Sequence, residues 1–241
     1  NPVGGPYVKP ENLPGRGTAL YEVAAEVPGV KTPSVWLPHG ILGISTSEIV
    51  TIPKDDRFGP FGGQLLVGDQ GQSKIARVFL EKVKGQYQGG AVLFREGFQS
   101  GVLRMAWATD GSLLVGQTNR GWGSTGPNPY GLQRLAFSGK TPFEILRVEA
   151  MPDGFELEFT QPVDRKTAED VSSYELTGFI YKYHVVYGSP VVDDKNCPIR
   201  GIKVSDDGKK VRLLVDGLRE KYVHEIKVEG LRSRDALPLL H

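Results

Sequence analysis

Between Glu48 and Val228 apolar and polar residues alternate in short runs, and glycine, proline or aspartate closes each run. A period of two sends successive side chains to opposite faces of an extended chain, so each run predicts a half-buried β-strand. Glu48 to Ile52, "QLLVGDQ" (64 to 70), "KIARVFL" (74 to 80) and Gln86 to Phe94 make a first group. Val102 to Ala108, "SLLVGQT" (112 to 118) and "GLQRLAF" (131 to 137) make a second, with Asp110-Gly111 as the two-residue turn of a hairpin. From about Glu144 the pattern changes. "FELEF" (155 to 159), "KVRLLVD" (210 to 216) and "YVHEIKV" (222 to 228) alternate between turns at Asp153-Gly154, Asp207-Gly208 and Asp216-Gly217.

The two groups repeat each other. Leu65-Leu66-Val67-Gly68 recurs as Leu113-Leu114-Val115-Gly116, and Arg77 recurs as Arg134. Between the paired strands the second copy is longer, by an insertion around "RGWGSTGPN" (120 to 128). A recurring four-stranded meander predicts the blade of a β-propeller. The expected class is therefore all-β, with a partial β-propeller of about two four-stranded blades over residues 18–142. Residues 143–241 are expected to form an Ig-like β-sandwich. Residues 1–17, with Pro2, Pro6, Pro10 and Pro14, predict an extended Pro/Gly-rich segment. Two blades leave edges and faces uncovered. A homo-trimer closing a six-bladed ring would cover them.

Composition fits this class. The 241 residues are 39% hydrophobic, enough for a real core, and 31 glycines with 17 prolines supply many tight turns. A net charge of +1 without a single-sign block argues against a dedicated nucleic-acid or membrane-surface binder. No apolar run approaches the ~20 residues of a bilayer span. The single Cys197 excludes an internal disulfide, C-x-x-C-H haem attachment and C-x-x-C zinc sites. Opening at Asn1 with neither Met nor a signal-like segment, the chain is expected to be processed, truncated or part of something longer.

Gly121, Gly123 and Gly126 carry the G-x-G-x-x-G spacing of a dinucleotide loop. That fingerprint needs a helix to follow, because the phosphates sit on its first-turn N–H groups. Pro127-Asn128-Pro129 follows instead, so the loop is expected to serve a binding face. In an up-and-down blade "WLPHG" (36 to 40), "DQGQS" (69 to 73), "EGFQS" (96 to 100) and "QTNRGWGSTGPNPY" (117 to 130) share that face. His39 is its candidate catalytic base, weighed against a turn residue. Asp69 is the candidate metal ligand, weighed against a turn cap. Asp69, Gln70, Gln99, Gln117, Asn119, Arg120 and Trp122 are the candidate ligand-binding set, Trp122 either stacking on a sugar ring or covering the insertion. Arg77 and Arg134 are expected to share a structural role. Phe179, Tyr181 and Tyr183 put three aromatics on one face, expected to be sandwich core, and His224 is expected at a core edge.

The run from Gly43 to Thr118 resembles the final blades of the glucose/sorbosone dehydrogenase family, six-bladed propellers that oxidise sugars with pyrroloquinoline quinone. "RFGPFGGQLLVGDQ", "KIARVFL" and "LRMAWATDGSLLVG" carry the likeness. In large bacterial members a c-type haem domain accompanies the propeller, and the segment from Phe155 through "TQPVD" resembles bacterial Ig-like domains. The resemblance implies a periplasmic or extracellular location and, in a longer parent, a haem partner. Registered on Asp110-Gly111, however, Gly101 and Leu103 stand where quinone-using members carry two arginines. The quinone is therefore not expected of this polypeptide alone. Three readings stay open: a sugar-oxidoreductase-like fragment binding a carbohydrate or related small molecule on its loop face, a calcium-dependent lactonase-type hydrolase, and a carbohydrate- or protein-binding module without catalysis.

Overall fold

A computed structural model describes residues 18–183 and 187–240, so the Pro/Gly-rich segment expected over residues 1–17 lies outside the described residues. The protein is all-β: among those residues four antiparallel sheets of three or four strands carry the chain, and helices are few.

After a short helix α1 (Leu20–Glu26), the first alternating group folds as a meander of β1 (Thr46–Thr51), β2 (Leu65–Asp69), β3 (Lys74–Val83) and β4 (Gln86–Arg95), paired in that order. The second group gives β5 (Val102–Trp107), β6 (Leu113–Thr118) and β7 (Tyr130–Leu135), a sheet of three strands where four were expected. The sequence repeat is also a repeat of register. Leu66 lies opposite Arg77 and Gly68 opposite Ile75, while Leu114 lies opposite Arg134 and Gly116 opposite Leu132.

These two sheets enclose one core. Ile52, Leu66, Ile75 and Phe94 meet Val102, Met105, Leu113 and Val115, with Phe58, Phe61 and Phe98 from the connections. Polar contacts fix β5 against β1: Ser47 Oγ donates to the Val102 carbonyl at 2.8 Å, and the Met105 N–H donates to Glu48 Oε2 at 2.9 Å.

The second half contributes β8 (Ile145–Met151), β9 (Gly154–Phe159), helix α2 (Arg165–Ala168), β10 (Tyr174–Tyr181), β11 (Val191–Asn196), β12 (Ile199–Val204), β13 (Lys210–Val215) and β14 (Val223–Val228). They form one sheet ordered β12-β13-β9-β8 and another ordered β11-β10-β14. Residues of both are buried together, Leu157, Phe159, Val211 and Leu213 from the first with Tyr174 and Leu176 from the second. Cys197 is buried in the same cluster as a free thiol, and burial pushes its pKa up.

Alternation along β10 sends Leu176 into this core and Phe179 and Tyr181 to the opposite face. Both are buried there, outside the cluster they were expected to join. Trp36 stacks on Tyr181 with ring centres 4.6 Å apart, and Ala19 bridges Lys182. The segment before the first sheet therefore lies against the second half. Tyr183 follows β10 and donates its N–H to the Thr18 carbonyl.

Arg77 joins the halves on the other side. It is 1% exposed; its guanidinium donates to Gln64 Oε1 at 2.6 Å, to the Leu146 carbonyl at 3.0 Å and to the Ile145 carbonyl, over the Phe61 ring at 4.0 Å. Burial lowers its pKa to about 10, so it stays charged at neutral pH. Its repeat counterpart Arg134 is exposed and pairs with Asp110. The two arginines thus share register but not role.

Replacing Arg77 by Leu leaves two strand carbonyls and Gln64 without their charged donor. The expected loss is about 3 kcal/mol, read as a lower urea midpoint; a loss within ~0.5 kcal/mol, as for an ordinary surface change, would show that Arg77 is not the joint.

His224, on β14, packs its ring 5.2 Å from that of Phe155. Burial, with a smaller push from Arg219, holds its pKa below the ordinary 6.5. The folded protein keeps the imidazole neutral where the unfolded chain already takes up a proton. Stability is therefore expected to fall as pH drops through 6.5 towards the folded value. His224→Phe should flatten this part of the dependence, measured as urea midpoints at about pH 7 and pH 5.

Candidate functional site

Asp69 ends β2 and is 1% exposed. One carboxylate oxygen accepts the N–H groups of Ile44 and Ser45, each at 2.8 Å, and the other accepts that of Gln72 at 2.6 Å. A strand end leaves such donors without ladder partners, and a short acidic side chain satisfies them. Here Asp69 ties residues 44 and 45 to the turn after β2. Among the described residues no three His, Cys, Asp or Glu gather as a metal would require.

The amide candidates lie under the long loop. Gln70 is buried and donates to the carbonyls of Thr118 at 3.1 Å and Trp122 at 2.6 Å. Gln117, also buried, accepts the Ser100 N–H at 2.9 Å and donates to Gln133 at 2.9 Å, and Gln133 accepts the N–H of Gln99. Gln99 itself is exposed. The Asn119 N–H donates to Pro129 and its carbonyl accepts from Trp122, closing the loop on itself.

The loop is also pinned from outside. Thr125 donates to the Gly71 carbonyl and Gly126 to Ser73 Oγ at 2.9 Å, while Asn128 donates to the Gln99 carbonyl. A side chain at Gly126 would stand 2.5 Å from Ser100 Cα, which is why glycine is needed there. No helix follows it; the chain enters β7. Position 101 is closed in the same way. A Cβ there would meet the Gln70 carbonyl oxygen at 2.2 Å, so no arginine fits where the quinone-using resemblance would have one.

Arg120 and Gln99 remain exposed, and so does a row of rings. Trp122 is 51% exposed and meets Tyr187 edge-on at 6.0 Å; Tyr187 meets His39 edge-on at 5.4 Å and donates its hydroxyl to the Ile44 carbonyl. Behind them the Trp36–Tyr181 stack completes an open cleft of about 360 Å³, lined also by Thr46 and Ser189. The Tyr181 hydroxyl is buried without a hydrogen-bond partner, and burial raises its pKa to about 12.

Sequence reasoning named His39 and Trp122, and the structure brings them to one side through Tyr187. It missed Trp36, Tyr181 and Tyr187. Trp36 stands in the quoted "WLPHG", where its ring was a usable signal; Tyr187 arrives from the second half, which no local pattern announces. No family model matches the chain, and no curated protein or solved structure shows significant similarity to it.

Asp69→Ala would leave three backbone donors unpaired at a buried turn. The expected loss is roughly 2–4 kcal/mol, observed by denaturant unfolding with calcium chelated; an unchanged midpoint would release Asp69 from the role of turn clamp.

Proposed function

We propose that the chain binds a carbohydrate or a related small molecule in the aromatic cleft, on a scaffold of two partial propeller blades and an Ig-like sandwich. One observation carries the reading: Trp122, Tyr187 and His39, from three distant stretches, form a contiguous row of rings beside a cleft that Trp36 and Tyr181 floor. Its volume lies in the range of small-ligand sites, which pair apolar walls with a few polar groups. The C–H face of a sugar ring is apolar and its hydroxyls are not. Half-exposed rings, with Asn119 and Arg120 on the same loop as Trp122, offer both kinds of contact.

Binding is favoured over catalysis because the other polar candidates serve the fold. Asp69, Gln70 and Gln117 use their side chains to hold backbone. In a longer periplasmic or extracellular parent the same face would present the ligand to an oxidising partner such as a c-type haem domain.

Tryptophan fluorescence titrated with mono- and oligosaccharides tests the reading. Saturable quenching is expected, and Trp122→Ala should weaken binding about tenfold, the effect of ~1.4 kcal/mol, with little change in stability. If no sugar binds and calcium alone raises the melting temperature, the lactonase-type reading gains instead.

A further inference from the structure

We propose that a second cavity, at the seam where β7 runs on towards β8, binds a small aromatic carboxylate. It shares no lining residue with the aromatic cleft and does not rest on the reading given for that cleft. The cavity holds about 280 Å³ between three stretches of chain: Phe58 and Phe61 in the β1–β2 connection, Phe94 and Arg95 at the end of β4, and residues 135–142 at and beyond the end of β7. Packing holds these stretches together. Phe58 and Phe94 lie with ring centres 6.0 Å apart, and Phe61 meets Phe94 edge-on at 6.1 Å. Gly59, at φ 88°, brings the turn between Phe58 and Phe61 against Phe137, for a Cβ built there would stand 3.3 Å from the Phe137 ring. The walls are therefore in place without a ligand, and they are largely aromatic.

The charge in the lining has one sign. Arg95 and Lys140 are its ionisable residues, and among the described residues neither is in an ion pair. Lys140 is exposed. Arg95 is half-buried and folds its guanidinium over the Phe94 ring at 4.8 Å, giving one N–H to the Phe94 carbonyl at 2.6 Å. Among the described residues its other donors have no acceptor.

The occupant follows from these groups. The untaken guanidinium donors and the Lys140 ammonium favour an anion, and apolar walls strengthen the attraction by lowering the local dielectric. The rings of Phe58, Phe61, Phe94 and Phe137 favour a body that is itself aromatic, because edge-to-face and offset pairs gain more than the area they bury. Volume sets the size. The cavity lies at the lower end of small-ligand sites, so it takes one ring rather than several. A carboxylate carries a single charge and costs less to bring beside phenyl groups than a more highly charged phosphate.

Isothermal titration calorimetry of the full chain with phenylacetate, carried to about 5 mM, tests this. A saturable one-to-one isotherm is expected, with the uncharged isostere phenylacetamide and the aliphatic octanoate each bound about tenfold more weakly or worse. Arg95→Gln and Lys140→Gln should each weaken phenylacetate binding about tenfold, and Lys140→Arg should retain it. Lys209→Gln, at an exposed lysine of the second half, should leave it unchanged. Melting temperatures of the variants without ligand should match that of the unsubstituted protein, which separates loss of binding from loss of fold. The absence of saturable heat with phenylacetate overturns the proposal, as does equal or tighter binding of phenylacetamide or octanoate, or an affinity that both glutamine variants leave intact.

Discussion

A guanidinium buried between two sheet systems holds them in place. Arg77 leaves β3 towards β8, where the ladder with β9 shifts register between Ile145 and Arg147. A bulge of this kind takes residues out of the ladder. The carbonyls of Ile145 and Leu146 face Arg77, and Gln64 donates to Leu146 as well. A buried charge is costly unless its hydrogen bonds are made. Three acceptors and the face of Phe61 make the position tolerable, and the same requirement fixes how the two halves meet.

The cleft depends on that meeting. Its rings come from residues 36 and 39 before the first sheet, 122 in the insertion of the second, and 181 and 187 in the far half. No pair of neighbouring strands could bring them together. Trp36 on Tyr181 closes one side of the joint while Arg77 closes another, so the site shares its determinants with the docking of the halves. Small relative movements of the two would change the spacing of Trp122 and Tyr187 before they disturbed either core.

The strands were legible because alternation and turn chemistry are local. Asp110-Gly111 closes the β5–β6 hairpin with Gly111 at φ 84° and Asp110 accepting from Ser112, as the sequence pattern implies. The repeat was legible to the level of cross-strand pairs. The different fates of its copies were not: Arg77 and Arg134 sit in identical local sequence positions, and only packing by a distant strand buries one of them. The side of β10 that carries Phe179 and Tyr181 misled for a related reason. Period two says that two faces exist, and both are covered here, one by the sheet core and one by the segment around Trp36. Tyr187 was beyond reach because its partners, Trp122, Ile44 and His39, all lie in the distant first half of the chain.

The polar candidates teach a narrower lesson about long insertions. A loop without a ladder has backbone donors and acceptors that water or side chains must satisfy. Around residues 119–129 this falls to Gln70 and Ser73, aided by the backbone of Gly71 and Gln99, while the Gln117–Gln133 pair holds the neighbouring backbone of residues 99 and 100. Long amides beside a glycine-rich insertion are therefore what the insertion itself requires, and they read as a ligand-binding set only because ligands recruit the same chemistry. The groups left for a ligand are those whose polar atoms the loop does not use. By that criterion the indole of Trp122 and the exposed Arg120 are the groups open to the proposed ligand, whereas the side chains of Asp69, Gln70 and Gln117 are taken up in holding backbone.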